Sequence, residues 1–310
     1  MKNNNTDSNI LKTKLKSITL KNPVIPASGT FSFGYEMSKF YDLNILGALV
    51  LKGTTKEERY GNNLPRIAEC TEGLLNAIGL QNPGVKAVVE EEIPKLRECY
   101  DGHIIANISG FSVTEFVEVT ECFNDSDVSI LEVNISCPNA KDGGMAFGTT
   151  AKAAAEVTRA VRSVTKKPIF IKLTPNVTDI VSIAKACEDE GADGLTLINT
   201  LLGMRIEPRT GKPIVSIGAA GFSGPAIKPV AVRIVHQVAK AVSIPIMGVG
   251  GISNANDVIE MLSAGAVAVQ VGSANLVNPY ACRDILEELP KKLKEYGLKN
   301  IKETIGRSLR

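Results

Sequence analysis

Eight short runs rich in Val, Ile, Leu and Ala recur along the chain, and their recurrence restricts the possible folds more than any other feature. They are 23-PVIPASG-29, 47-GALVLKG-53, 104-IIANISG-110, 130-ILEVNISC-137, 168-PIFIKLTP-175, 194-GLTLINT-200, 244-IPIMGVGG-251 and 266-AVAVQVGS-273. Each reads as a nearly continuous apolar strand that ends in small or polar residues, as strands buried on both faces do. Between most of them lie stretches with helical spacing, among them 151-AKAAAEVTRAVRSVTK-166, 178-TDIVSIAKACEDEGA-192, 226-AIKPVAVRIVHQVAKAV-242 and 255-ANDVIEMLSAGA-266. Strands alternating with helices build βαβ units, a parallel sheet and crossover connections. Eight such units predict an α/β fold of the (β/α)8 TIM-barrel type, a single domain over residues 1–310. An open doubly wound sheet is the alternative, because the pattern alone does not establish closure. Two connections, 54–103 and 201–225, exceed simple loops. In a barrel both fall on the C-terminal face, where such insertions build or cover a site.

Composition narrows the function classes. With 44% hydrophobic and 22% charged residues the chain has the make-up of an ordinary soluble globular protein. Its net charge is +2 and its basic residues are dispersed, except in 291-KKLKEYGLKNIKE-303, where acids are interleaved. That tail reads as a solvated terminal helix, and nucleic-acid binding is not expected. The N-terminal residues 1-MKNNNTDSNILKTKLKS-17 lack an apolar stretch after their charges. No run of about 18 apolar residues free of charge occurs, so neither signal peptide nor membrane span is expected and the chain reads as cytoplasmic. The six cysteines, at 70, 99, 122, 137, 187 and 282, form no C-x-x-C pair or cluster suited to zinc or an iron–sulfur centre. Five of them read as small buried hydrophobes.

Polar residues gather at the strand ends: Ser28, Lys52, Asn107, Asn134, Cys137, Lys172, Asn199 with Thr200, Gly250 with Gly251, and Gly272 with Ser273. A closed barrel brings all of them to the face where barrel enzymes do their chemistry. Lys52 and Lys172 each terminate an apolar strand, where an unpaired ammonium is costly to bury. Each needs an anionic partner, either a structural carboxylate or a bound anion; no acid adjoins either strand end, and a bound anion accounts for both. The glycine-rich turns after strands seven and eight supply backbone N–H groups at the usual phosphate locus of this fold, which suits a mononucleotide cofactor. Asn76, Asn134 and Asn199 can both donate and accept, as a flat heterocycle with alternating carbonyl and N–H groups requires. Cys137 opens the glycine-rich loop 138-PNAKDGGMAFG-148, a position suited to acid–base work. The two histidines, His103 and His236, fall at a strand start and inside a helix and read as structural.

Taken together, 27-ASGTFSFGYE-36, 51-LKGTT-55, 76-NAIGLQNPG-84, 107-NISG-110, 133-VNISCPNAKDGG-144, 170-FIKLTPN-176, 197-LINT-200, 221-GFSGPAIKP-229, 247-MGVGGI-252 and 271-VGSA-274 resemble the dihydroorotate dehydrogenases from about residue 10 to 290. The resemblance implies an FMN across the barrel mouth. Its ring site would take in Ser28, Lys52, Gly53, Asn107, Asn134 and Lys172, with Ile198 and Gly224 flanking it and Gly250, Gly251, Gly272 and Ser273 on the phosphate. Dihydroorotate would be held by Lys52, Asn76, Gly79, Leu80, Asn134, Asn199 and Thr200, with Cys137 as the base.

A cysteine base is similar to the class 1 enzymes, and CPNAKDGGMAFG resembles their NAD-linked subclass. That subclass implies a heterotetramer, two copies of this chain around a homodimeric core and two of a partner subunit carrying FAD and a [2Fe–2S] cluster. The fumarate-linked class 1 branch and the pyrimidine-reducing part of dihydropyrimidine dehydrogenase are the enzymatic alternatives; a non-catalytic flavin-binding barrel is the other. Two positions depart from the family's usual pattern: Ser273, where Thr is commoner but the hydroxyl is kept, and Ser32, where Gly is common.

Overall fold

The computed structural model describes residues 7–136 and 146–310. Eight parallel strands make one sheet: β1 (Val24–Pro26), β2 (Ala48–Val50), β3 (His103–Ile108), β4 (Ile130–Asn134), β5 (Ile169–Lys172), β6 (Gly194–Leu197), β7 (Ile246–Val249) and β8 (Ala268–Val271). Their order follows the chain, with β8 beside β1. The seam between β1 and β2 is bridged by the Gly47 N–H, which donates to the Val24 carbonyl (3.0 Å). The sheet is therefore a barrel, and the open doubly wound alternative is excluded.

Gly47 is required by that seam. A Cβ at this position would lie 2.2 Å from the Asn22 carbonyl oxygen, while the Asn22 side chain clamps the same corner through the Ile45 carbonyl (2.7 Å) and the Val24 N–H (3.0 Å). We expect Gly47→Ala to destabilise the barrel by about 2 kcal/mol, within the range of overpacked sites. A melting temperature equal to the wild type's would show that the seam yields.

Helices α1 (Val113–Asn124), α2 (Ala151–Val164), α3 (Ile180–Asp189), α4 (Lys228–Ala239), α5 (Ala255–Ser263) and α6 (Ala281–Glu295) cover the outside. The first four bury one stripe at positions i, i+3, i+4 and i+7, for example Phe116, Val119, Thr120 and Phe123 in α1. Ser112, Thr150, Asp179 and Asn254 cap α1, α2, α3 and α5 with side-chain oxygens that accept from first-turn N–H groups. The hairpin Thr13–Leu15 and Ile18–Leu20 plugs the N-terminal end, where Leu15 and Leu20 meet Ile25, Ile105, Ile130, Phe170 and Met247 of the barrel interior.

Two expectations need correction. The tail is not simply solvated: α6 buries Ile285, Leu289 and Leu293, and beyond it Ile301 is buried and the Gly306 N–H donates to Leu262 at the end of α5 (2.9 Å). Of the five cysteines read as buried, only Cys187 and Cys282 are; Cys70 and Cys99 are half-buried, and Cys122 is exposed on the outer face of α1. Burial raises the Cys187 and Cys282 thiols to about 12, so both are inert at neutral pH. Ser32 has φ 52, a left-handed conformation that glycine adopts without strain, and its hydroxyl donates to Glu36 (3.0 Å).

Candidate active site

Both long connections rise from the C-terminal face and pair with each other. Leu201–Gly203, Ala220–Ser223, Gly73–Asn76 and Ile67–Cys70 form an antiparallel sheet in that order, with Asn76 opposite Gly221. Between this sheet and the barrel mouth lies a cleft, and seventeen of the eighteen residues singled out from the sequence line it. Ser28 follows β1, Lys52 and Gly53 follow β2, Asn107 lies near the end of β3, and Asn134 and Lys172 close β4 and β5. Ile198, Asn199 and Thr200 follow β6, Gly250 and Gly251 follow β7, and Gly272 and Ser273 follow β8. The mouth sheet and its flanks bring Asn76, Gly79, Leu80 and Gly224. The eighteenth, Cys137, lies outside the described residues, as does most of its loop. His103 sits at the far end of the barrel, 2.9 Å from the Ser129 hydroxyl, and burial holds its imidazole below the usual range; neither it nor His236 lines the cleft.

Among the described residues that line it, two lysines and no carboxylate face the cleft. Directly beneath it, Glu132 of β4 is fully buried and pairs with Lys172 (3.4 Å). The anionic partner of Lys172 is therefore this structural carboxylate, and a bound anion is not needed to account for it. Glu132 escapes a reading that looks for acids only at strand ends, because it lies in mid-strand on the inward side of β4.

The amides form a second network. Asn199 Nδ2 donates to the Ser136 hydroxyl (2.9 Å), the Ser136 carbonyl (3.2 Å) and Asn134 Oδ1 (3.3 Å). Asn134 Nδ2 donates to Ser109 (3.4 Å), and the Thr200 N–H donates to Asn199 Oδ1 (2.8 Å). Such mutual locking fixes the amide orientations and preorganises the wall. Ser109 and Ser136 do not line the cleft but brace the amides that do, a supporting role that looking only at strand ends passes over.

Asn107 donates through Nδ2 to Glu132 (2.6 Å), and its buried Oδ1 has no donor among the described residues. A buried acceptor left so at a cleft wall calls for a ligand donor. On the opposite side, Gly250 and Gly251 hold φ values of 126° and 74°, and a Cβ on Gly251 would lie 2.7 Å from the Lys228 backbone nitrogen. Only glycines can press this turn against the start of α4 and leave its backbone open to a ligand.

Behind that turn, Lys228 bridges Asp257 (2.6 Å) and Glu260 (2.8 Å), and Asp257 also accepts from the Ser253 N–H and hydroxyl (both 2.8 Å). Burial alone would raise the Asp257 carboxyl; the hydrogen bonds from Lys228 and Ser253 outweigh it and hold the group below the usual carboxylate range. A depressed folded-state value stabilises the fold above the unfolded value, and that contribution is lost as pH falls through the folded one. Asp257→Asn is thus expected to lose about 2 kcal/mol at neutral pH. The gap to wild type should close below about pH 4 in denaturant titrations; a gap independent of pH would contradict this.

The family model described as "Dihydroorotate dehydrogenase" matches residues 10–293. The chain belongs to the dihydroorotate dehydrogenase family. It is 56% identical over 301 residues to the "Dihydroorotate dehydrogenase B (NAD(+)), catalytic subunit" of Geobacillus kaustophilus, covering 97% of this chain and 96% of that one. Proteins of the same description from Bacillus pumilus (56% over 300 residues, 96% of each chain) and Exiguobacterium sibiricum (52% over 301 residues, 97% of each) are also similar. Within this family frame, the described residues contain no helix long and apolar enough to cross a membrane, and no cluster of three or more His, Cys, Asp or Glu that could hold a metal ion.

Proposed function

We propose that the chain oxidises (S)-dihydroorotate to orotate for pyrimidine biosynthesis, as the catalytic subunit of an NAD-linked dihydroorotate dehydrogenase. What carries this reading is the cleft itself: two lysines and no carboxylate among its described lining residues, and a wall of interlocked amides at the strand ends. That chemistry suits a flat, anionic heterocycle with alternating carbonyl and N–H groups. In this reading Lys52 meets the substrate carboxylate, and Asn76, Asn134, Asn199 and Thr200 meet the ring edge, beside the backbone of Gly79 and Leu80. Cys137 takes the proton from the ring methylene next to a carbonyl. It follows Ser136, which is buried between Asn134 and Asn199 at the cleft wall.

The residues fit an FMN. The open acceptor of Asn107 and the glycine turn at 250–251 are the features it would complete, with Ser28, Lys52, Gly53, Asn134 and Lys172 around the ring, Ile198 and Gly224 at its flanks, and Gly250, Gly251, Gly272 and Ser273 at the phosphate. FMN held there supplies the hydride acceptor for the oxidation. The chain's own part is to hold the substrate, take its proton and exclude water.

For onward electron transfer we infer a cytoplasmic heterotetramer, two copies of this chain and two of an electron-transfer subunit carrying FAD and a [2Fe–2S] cluster. Leu276 and Val277, 53% and 88% exposed, lie on the rim just after Ser273, where such a subunit has an apolar surface to cover. Val277→Asp is expected to leave orotate formation with an artificial acceptor unchanged and to lower NAD reduction at least tenfold in the reconstituted complex. Equal NAD reduction would move the docking site elsewhere. Turnover by the lone chain with fumarate as acceptor would overturn the NAD-linked assignment, and oxidation of dihydrouracil as readily as dihydroorotate would overturn the substrate.

A further inference from the structure

We propose that Glu132 is a positioning residue that sets the reduction potential of the bound flavin through Lys172 and Asn107. The inference rests on the reading that FMN occupies the cleft. Glu132 does not line the cleft, so it touches no ligand and acts only through neighbours that do. It is 0% exposed in the centre of the barrel, and both its oxygens are used twice. Oε1 accepts from Asn107 Nδ2 (2.6 Å) and Lys172 Nζ (3.4 Å); Oε2 accepts from Thr196 Oγ1 (2.9 Å) and from Gln270 Nε2. One carboxylate on β4 thereby ties together residues of β3, β5, β6 and β8.

A buried ion pair is a poor device for stability alone, since apolar residues of similar volume often serve as well or better. The cluster is better accounted for by what it does to the cleft floor. A carboxylate can only accept, so Asn107 must turn its NH2 group toward Glu132, which leaves Oδ1 as the open acceptor. The same carboxylate balances the Lys172 ammonium, which would otherwise put a full positive charge under the ligand. Removing the negative charge makes the floor more positive and favours the electron-rich, reduced flavin. The potential must then rise.

The test is the midpoint potential of FMN in the holoprotein, measured by equilibration with a reference dye. In Glu132→Gln we expect a positive shift worth at least tenfold in the redox equilibrium constant, about 30 mV for a two-electron couple. Glu132→Gln/Gln270→Glu returns a carboxylate to the other neighbour of Lys172, whose Nζ lies 3.5 Å from Gln270 Oε1, and should bring the constant back to within about threefold of wild type. Thr196→Val leaves the barrel filled and removes one hydroxyl dipole that faces the carboxylate; it should shift the potential in the negative direction, and serves if Glu132→Gln does not fold. Variants that keep FMN at an unchanged potential overturn the inference, as does a shift that the carboxylate swap fails to reverse. A wild-type chain that takes up no FMN instead overturns the underlying flavin reading.

Discussion

Replacing Cys137 with alanine is expected to lower dihydroorotate turnover at neutral pH by about 10²- to 10⁴-fold while FMN stays bound, because that is the usual contribution of a positioned general base. The loss falls on the proton-transfer step, so the substrate should still bind: the orotate dissociation constant is expected to change less than about threefold, since Lys52 and the amide network remain. Serine at the same position is a poorer proton acceptor near neutrality. Cys137→Ser should therefore show an intermediate rate that climbs with pH. A Cys137→Ala enzyme with wild-type turnover would remove the base from the mechanism altogether.

Lys172→Met is expected to act on folding and cofactor together. Lys172 is the only cation paired with Glu132 among the described residues, and Glu132 has no exposure through which water could take over. Removing one member of a buried pair typically destabilises by about 3–5 kcal/mol. Denaturant unfolding should show that loss, and the purified protein should carry little FMN. Adding Glu132→Gln removes the stranded charge and should recover most of the folding free energy without restoring FMN retention. That split separates the structural share of Lys172 from its share in holding the flavin. A Lys172→Met protein that is fully yellow and as stable as wild type would refute both.

The barrel was legible because its strands are buried on both faces, so each shows as a continuous apolar run closed by a small or polar residue. The same geometry makes the site legible: parallel strands all end on one face, and reading the residues at the ends amounts to reading the cleft. Glu132 was hidden by treating ILEVNIS as uniformly apolar. In a strand the side chains alternate, so Glu132, Asn134 and Ser136 share the inward side, and the alternation was present in the letters. Cys122 could likewise have been placed outside, since the buried stripe of α1 runs through 116, 119, 120 and 123 and misses it.

The sheet over the mouth was not legible in its pairing. Its strands are three or four residues long, and Asn76 meets Gly221 across a large separation in sequence. Only tertiary packing, through the small core of Leu75, Ala77, Val215 and Ala220, selects that register. Leu80, at φ 59 beside Gly79 at 76, is a further feature no propensity would place, a bulky residue held left-handed where the chain turns into the cleft.

The most direct measurement is anaerobic mixing of the FMN-loaded chain with dihydroorotate, following flavin absorbance and orotate together. The flavin is expected to bleach in a single turnover with one orotate formed per flavin, and no partner subunit should be needed for this half of the reaction. A flavin that stays oxidised in the presence of saturating dihydroorotate would contradict it.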